Sequence, residues 1–212
     1  MNYFKSTILI LTLLITAFST TFTIAQNSDK EAIKAEAQKQ EKLLVGRWFP
    51  LTVSDKGMGE GLTFGSDGKV VRRMGVFLAI TYKMDGDSLI MVFPDAGEGK
   101  QKAAIDDSVL ILSGGGMESK LTRVEGNAKN GIVGVWTGRH MTGANQTLYF
   151  TASGDEYMIV EMRSLEDVYE ISGDQLMIDG GVTKNFTWSI NENKLTLTPT
   201  DNTESLTYIR LE

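Results

Sequence analysis

From Val45 onward, apolar residues recur at every second position in short bursts. Leu62/Phe64, Leu89/Met91/Phe93, Leu110/Leu112 and Leu121/Arg123 each alternate with neighbours on the opposite face, the period of a half-buried strand. Between the bursts stand turn residues: Gly65-Ser-Asp-Gly68, Asp85-Gly86, Asp106-Asp107 and Gly114-Gly-Gly116. Asp-Gly between alternating runs is a strong hairpin signal. The pattern predicts strands near 45–53, 60–65, 69–74, 77–84, 87–93, 101–106, 108–113 and 119–124. A second set follows near 133–141, 146–151, 155–163, 166–172, 174–179, 182–190, 194–199 and 205–211. Glu125-Gly-Asn-Ala-Lys-Asn-Gly131 reads as the connector between the sets.

The two sets are copies. Gly46-Arg-Trp48 answers Gly134-Val-Trp136, 88 residues on, and Leu62-Thr-Phe64 answers Leu148-Tyr-Phe150 at 86. Tyr82-Lys-Met-Asp-Gly86-Asp-Ser-Leu89 answers Tyr169-Glu-Ile-Ser-Gly173-Asp-Gln-Leu176 at 87, while Ile105–Leu110 with Leu112, and Leu121-Thr, recur at 85. Short strands joined by tight turns, with no crossover helices, imply antiparallel meanders that remove their edges by closing. Each copy spans roughly 80 residues, near the lower limit for a self-supporting core. The fold class predicted is therefore all-β: two tandem antiparallel meander barrels of about eight short strands each, over 45–124 and 132–212, linked by 125–131. One fused sheet or sandwich built from both copies is the alternative.

The N-terminus has a different character. Met1-Asn-Tyr-Phe-Lys5 is positively charged, Ser6 to Phe18 is an Ile/Leu-rich run, and Thr23-Ile24-Ala25 ends on a small residue. Residues 1–25 thus read as a cleavable signal peptide, and the protein as exported, to the periplasm or beyond. An uncleaved anchor is the rival reading and would want roughly 20 apolar residues. Residues 26–44 read as a leader helix, opened by the capping-box pattern Ser28-Asp-Lys-Glu31 and solvated until Leu43-Leu44.

Composition narrows the function classes. The chain has no cysteine, which removes disulfides, thiolate metal sites, a cysteine nucleophile and a lipid-attachment thiol. The net charge is −6 and becomes −7 once Lys5 leaves with the signal, so the basic footprint of a nucleic-acid binder is missing. No stable membrane insertion is expected after signal cleavage.

Taken together, the Gly-x-Trp of the first strand, the Phe and Asp67-Gly68 of the next hairpin, Tyr-x-x-x-Gly-Asp-x-Leu and the final Leu-Thr strand resemble the small bacterial lipocalin-like domains. In that superfamily the tryptophan plugs the closed end of the barrel and an arginine of the last strand covers it. The resemblance implies Trp48 with Arg123, and Trp136 with Arg210. A guanidinium over an indole is a favourable contact in its own right. Arg123 lies two residues after Leu121 but Arg210 lies four after Leu206, so the two plugs are expected to differ.

Candidate chemistry is sparse. His140 is the only histidine and shares the face of Trp136; without a second ligand or a nucleophile it reads as a strand-end polar residue. Of the ten methionines, nine follow the signal. Thioethers can hold cuprous ion, but no Met-x-Met cluster with His support occurs, so they read as core filling. Gly57-Met-Gly-Glu-Gly61 and Gly114-Gly-Gly116 lack a following Lys-Ser/Thr and read as turns. Asp106-Asp107 and Glu166-Asp167 read as solvated hairpin tips.

One asymmetry bears on binding. Phe186, Trp188 and Ile190 share a strand face where the first copy has Gln101, Ala103 and Ile105. Aromatic side chains each bury on the order of 150–250 Å², so the first barrel is expected to hold the cavity unless Val76, Phe77, Leu78 and Ile80 compensate. Its expected lining is Gln101, Ala103, Phe64, Tyr82 and Met91. The function expected is non-enzymatic binding of a small apolar or amphipathic ligand, with no catalytic residue, metal or cofactor. The alternative is a structural module whose filled barrels meet another envelope protein.

Overall fold

The computed structural model describes residues 39, 41–94, 96–201 and 204–211. Residues 1–25, read above as a signal peptide, and most of 26–44, read as a leader helix, lie outside the described residues; residues 41–44 are helical and end on a fully buried Leu44.

Fourteen antiparallel strands follow. They are β1 (Gly46–Pro50), β2 (Met58–Phe64), β3 (Lys69–Asp85), β4 (Ser88–Phe93), β5 (Gly97–Asp106), β6 (Val109–Gly114) and β7 (Met117–Glu125). After a 3-10 turn at Ala128–Asn130 come β8 (Gly134–Arg139), β9 (Asn145–Phe150), β10 (Asp155–Ser172), β11 (Gln175–Asp179), β12 (Thr183–Asn191), β13 (Lys194–Pro199) and β14 (Leu206–Leu211). Each strand pairs with the next, and β14 returns to β1, so the sheet is one closed ring. Across its middle, β3 also pairs with β10 from Thr81↔Asp155 to Lys69↔Val168. That contact pinches the ring into two lobes.

The lobes do not coincide with the two sequence copies. Strand β2 pairs with the start of β3, and β4 with its end. Likewise β9 flanks the start of β10, and β11 its end. The first lobe is therefore β1, β2 and early β3 of copy one, closed by late β10 and β11–β14 of copy two. The second lobe is late β3 and β4–β7 of copy one, closed by β8, β9 and early β10 of copy two. This corrects the expectation of a closure within 45–124 and another within 132–212: each closure takes strands from both. Each lobe still has eight strand segments and its own core. Leu44, Trp48, Leu62, Phe64 and Val70 pack with Tyr169, Leu176, Phe186, Leu195, Leu197 and Tyr208 in the first. Ile80, Leu89, Met91, Leu110, Leu112 and Leu121 pack with Trp136, Leu148 and Phe150 in the second.

The exchange rests on two strands longer than the pattern predicts. The predicted 69–74 and 77–84 are one 17-residue strand, and 155–163 and 166–172 are one of 18 residues. The pairing of β3 with β10 shifts register between Glu161 and Arg163, and the extra residue, Met162, is exposed. Gly75 sits at this crossing, where an added Cβ would lie 2.1 Å from Val160 O. Glycine is there because two backbones approach closely, a role that a strand glycine often has. Gly75→Ala is expected to cost about 1–3 kcal/mol, the overpacking range, measured as a lower urea midpoint at unchanged slope. An unchanged midpoint would mean that the two strands part easily there.

Between the lobes lies a third cluster, Phe49, Phe77, Val135, Tyr149, Ile159 and Leu211. The Phe49 and Phe77 rings meet edge-on at 5.4 Å. Phe77 also covers Gly59 and Gly61, whose added Cβ atoms would lie 3.3 and 2.8 Å from its ring. The Gly57–Gly61 stretch, expected as a turn, is thus mostly strand β2, its glycines making room for an aromatic ring. An Arg47–Glu125 ion pair ties the two lobes at the surface (Nη1–Oε2 2.7 Å).

Candidate functional site

Each lobe has one sealed end. In the first, Trp48 is 1 % exposed and its indole N–H donates to Leu44 O at 2.7 Å. The Arg210 guanidinium lies 4.2 Å from the ring centroid and donates to Val45 O (2.7 Å) and Leu43 O. In the second, Trp136 is fully buried and donates to Ile132 O at 2.7 Å. Arg123 lies 4.0 Å from its ring and donates to Val133 O (3.0 Å) and Gly131 O (2.6 Å). In both, the acceptors stand three, four and five residues before the tryptophan. The plugs are equivalent, contrary to the difference expected. The arginines align through Tyr208 and Leu121, both buried two residues earlier, rather than through Leu206. The partners are also exchanged relative to the expected pairs: Trp48 pairs across to Arg210 and Trp136 to Arg123.

The opposite ends differ from each other. At the first lobe's mouth the buried Arg72 is clamped by two carboxylates. Its Nε and Nη2 donate to Glu60 at 2.9 and 2.7 Å, and its Nη1 donates to Asp167 at 2.8 Å. The Glu60 hydrogen bonds, more than those of Asp167, hold the guanidinium's pKa above its ordinary value against the effect of burial. A bidentate fork of this kind fixes orientation as well as charge. Asp167 was expected at a solvated tip; it lies inside β10, buried against Gly180, where an added Cβ would come within 2.0 Å of its carboxylate. Nearby, Tyr208 is 2 % exposed and burial raises its phenol pKa.

In the second lobe none of these charges recurs. Gln146 replaces Glu60 and Met158 replaces Arg72, each 86 residues on, while Ile80 stands 87 before Asp167. Conversely, Glu156 occupies the place of Val70. Glu156 is 3 % exposed, its Oε2 has no hydrogen-bond partner, and burial pushes its carboxyl from 4.5 to about 7. A carboxyl whose folded pKa is raised stabilises fully below its unfolded value, and that contribution is lost as pH rises through the folded one. Stability should therefore fall between about pH 4.5 and 7, by on the order of 3 kcal/mol at 1.36 kcal/mol per pKa unit. Glu156→Gln is expected to flatten this slope and raise the melting temperature at pH 8, as calorimetry across pH would show. A slope kept by the variant would assign it to other groups.

The openings differ in size. The first lobe's mouth holds about 520 Å³, lined by Glu60, Leu62, Arg72, Ile178, Phe186, Leu197 and Tyr208 among others. The second lobe's mouth holds about 150 Å³, around Met91, Gln101, Leu112, Gln146, Glu156 and Met158. Ligand cavities run from about 300 to 1,000 Å³, so only the first is of small-molecule size. The roomier interior thus lies beside Phe186, not beside Gln101 as expected. Phe186, Trp188 and Ile190 do face that core. In the second lobe Met91 is buried in the core with Ala103, and Met158 packs against it.

The expected lining residues are accordingly dispersed. Gln101 and Met91 border the small mouth. Ala103 is buried in the same core, and Tyr82 packs on it, donating to Thr151 O at 2.7 Å. Phe64 belongs to the other lobe, edge-on to Tyr169 at 5.0 Å. The Glu60–Arg72–Asp167 cluster escaped sequence reading because its members lie 12 and 95 residues apart. A charged residue at an inward-facing position of β3 is the one signal that pointed to it.

Two plugged lobes of eight antiparallel segments, each with an opposite mouth, set the comparison with known families. Residues 132–212 match the family model of the lipocalin-like domain. No curated protein and no solved structure gives a significant match. The lipocalin-like match begins just before β8 and covers the second copy, whose seven strands are divided between the two lobes. Trp136 and Arg210 of the matched segment seal different lobes. In this chain the lipocalin-like copy closes only with strands of its neighbour.

Proposed function

We propose that the protein is an exported, non-catalytic binder that takes one small amphipathic molecule into the mouth of the first lobe. The observation that supports this most directly is the 520 Å³ opening onto Leu62, Ile178, Phe186, Leu197 and Tyr208, with a fixed polar cluster at its side. The apolar part of the ligand packs on those side chains. Its polar end meets Glu60, the more accessible partner of Arg72, with a side chain 27 % exposed against 5 % for Asp167. Asp201 and Glu204 border the same mouth, with Lys184 the one lining lysine. That balance favours a hydrogen-bond-donating or cationic end over a carboxylate.

Native mass spectrometry of protein purified from its natural host tests occupancy, with a retained small molecule expected as added mass. Two fluorescent probes of equal chain length, an alkylamine and an alkylcarboxylate, test the chemistry. The amine should bind more tightly, and Leu206→Trp, which narrows the half-buried rim, should weaken it. A bare mass together with no probe binding, or preference for the carboxylate, would overturn the reading. A second reading, as a protein-interaction module of the cell envelope, is supported by the groove between the lobes. It holds about 610 Å³ beside Val135, Tyr149, Tyr157, Ile209 and Leu211.

A further inference from the structure

The mouth of the second lobe is too small for an organic ligand, yet its lining is chemically unusual. Met91, Met117, Met141 and Met158 all border it, together with His140, the chain's only histidine, and Glu156. They come from β4, β7, the β8–β9 turn and β10, so no stretch of sequence announces them. Met117 and Met141 are 51 % and 72 % exposed, whereas core-filling methionines are buried. The corresponding positions of the first lobe carry no thioether: Ile178 answers Met91 and Arg72 answers Met158, at offsets of 87 and 86. Packing accounts for Met91 and Met158, which belong to the second core, but not for Met117 and Met141, which stand exposed at the same mouth.

Soft thioethers and imidazole select soft, univalent ions, while carboxylate and carbonyl oxygen suit hard ones. Among the described residues no group of three or more His, Cys, Asp or Glu is placed to hold a metal ion, so a hard or borderline divalent cation finds no such set. We propose that this mouth is a binding site for a soft univalent cation, Cu(I) or Ag(I), with Met91, Met117, Met141, Met158 and His140 as its donor pool and Glu156 as the counter-charge. His140 is held at the mouth by its own turn. Its Nδ1 lies 2.9 Å from Thr142 Oγ1 and accepts from the Thr142 backbone N–H at 3.3 Å, which holds the imidazole in the β8–β9 turn at the edge of the mouth. Glu156 supplies an independent reason to expect a cation. It is a buried carboxyl at the site whose Oε2 has no hydrogen-bond partner, and a buried polar atom is ordinarily hydrogen-bonded or bound to metal. The volume of about 150 Å³ suits an ion with adjusting side chains.

The test is titration of the purified protein with silver nitrate in chloride-free buffer, and with Cu(I) under argon. Native mass spectrometry gives the stoichiometry, and methyl-13C-methionine spectra report the site. One equivalent is expected to move the methyl signals of Met91, Met117, Met141 and Met158 and leave those of Met84, Met162 and Met177 in place. Met91→Leu/Met158→Leu should weaken binding by about tenfold or more, the scale on which even outer-shell partners of a metal act. If that pair does not fold, Met117→Leu/Met141→Leu, on exposed side chains, serves in its place. Zn(II) should cause no shift. Absence of binding, shifts at the other methionines, or undiminished affinity in the leucine variants would each overturn the site.

Discussion

Cut between Gly126 and Asn127, the protein should yield two chains that are unfolded apart and folded together. The ring shows why. Residues 26–126 contain β1–β7, but the lobes close only when β1 pairs with β14, β3 with β10 and β7 with β8. Each fragment alone would expose one long strand of 17 or 18 residues along the edge that β3 and β10 now share. It would also leave a tryptophan without the arginine that covers it. An uncovered edge of that length invites aggregation rather than folding. Cores split in this way cannot offset the conformational entropy of ordering the backbone, about 1–2 kcal/mol per residue. Mixing the fragments should restore the native β-sheet circular dichroism and a 1:1 complex by gel filtration. Self-contained tandem barrels would instead give two monomers that each unfold cooperatively, and that result would refute the exchanged architecture.

The second large effect concerns the plugs. Trp136→Ala should cost about 3–5 kcal/mol, the usual range for removing a buried aromatic residue. Its indole hydrogen bond to Ile132 O is lost as well. A double-mutant cycle then identifies the partner. Arg123 stacks on Trp136 at 4.0 Å, so Trp136→Leu with Arg123→Met should couple by about 0.5–2 kcal/mol. Trp136→Leu with Arg210→Met should be additive within roughly 0.5 kcal/mol, as distant sites are. Trp48 should show the reverse preference. Coupling of Trp136 to Arg210 would mean that the second copy closes on itself after all.

Much of this was legible in the alternation of side chains. The repeat, most of the hairpins and the inward faces follow from periods and offsets, while the four plug residues follow from the resemblance to lipocalin-like domains. Even the drift of the repeat has a structural meaning. The step from 86 (Leu62 to Leu148) to 87 (Tyr82 to Tyr169) corresponds to the extra residue at Met162, where β10 shifts against β3. The pattern predicts two strands where β3 and β10 each run as one, with breaks that fall at Gly75 and at Ser164–Leu165. Both interruptions mark the crossing of the two strands rather than turns. Glu166-Asp167 was misplaced for the same reason: a broken strand leaves its carboxylates at a tip, an unbroken one carries Asp167 to Arg72. The two mouths could not be ranked from Phe186 and Ala103 alone, because the volume is set by side chains from four or more strands at once.

The sequence by itself determined that this is an internally repeated, cysteine-free, antiparallel β protein with a Gly-x-Trp opening each repeat. These are local properties, written in a period of two and in residue types at fixed offsets. Only the tertiary structure decided which copy supplies the wall that completes each lobe, and with it which side chains share a mouth. The physical reason is that strand pairing satisfies the same backbone groups whether the neighbour comes from the same copy or the other. The choice is fixed by two uninterrupted strands crossing at Gly75, a contact between residues 86 apart (Gly75 and Glu161).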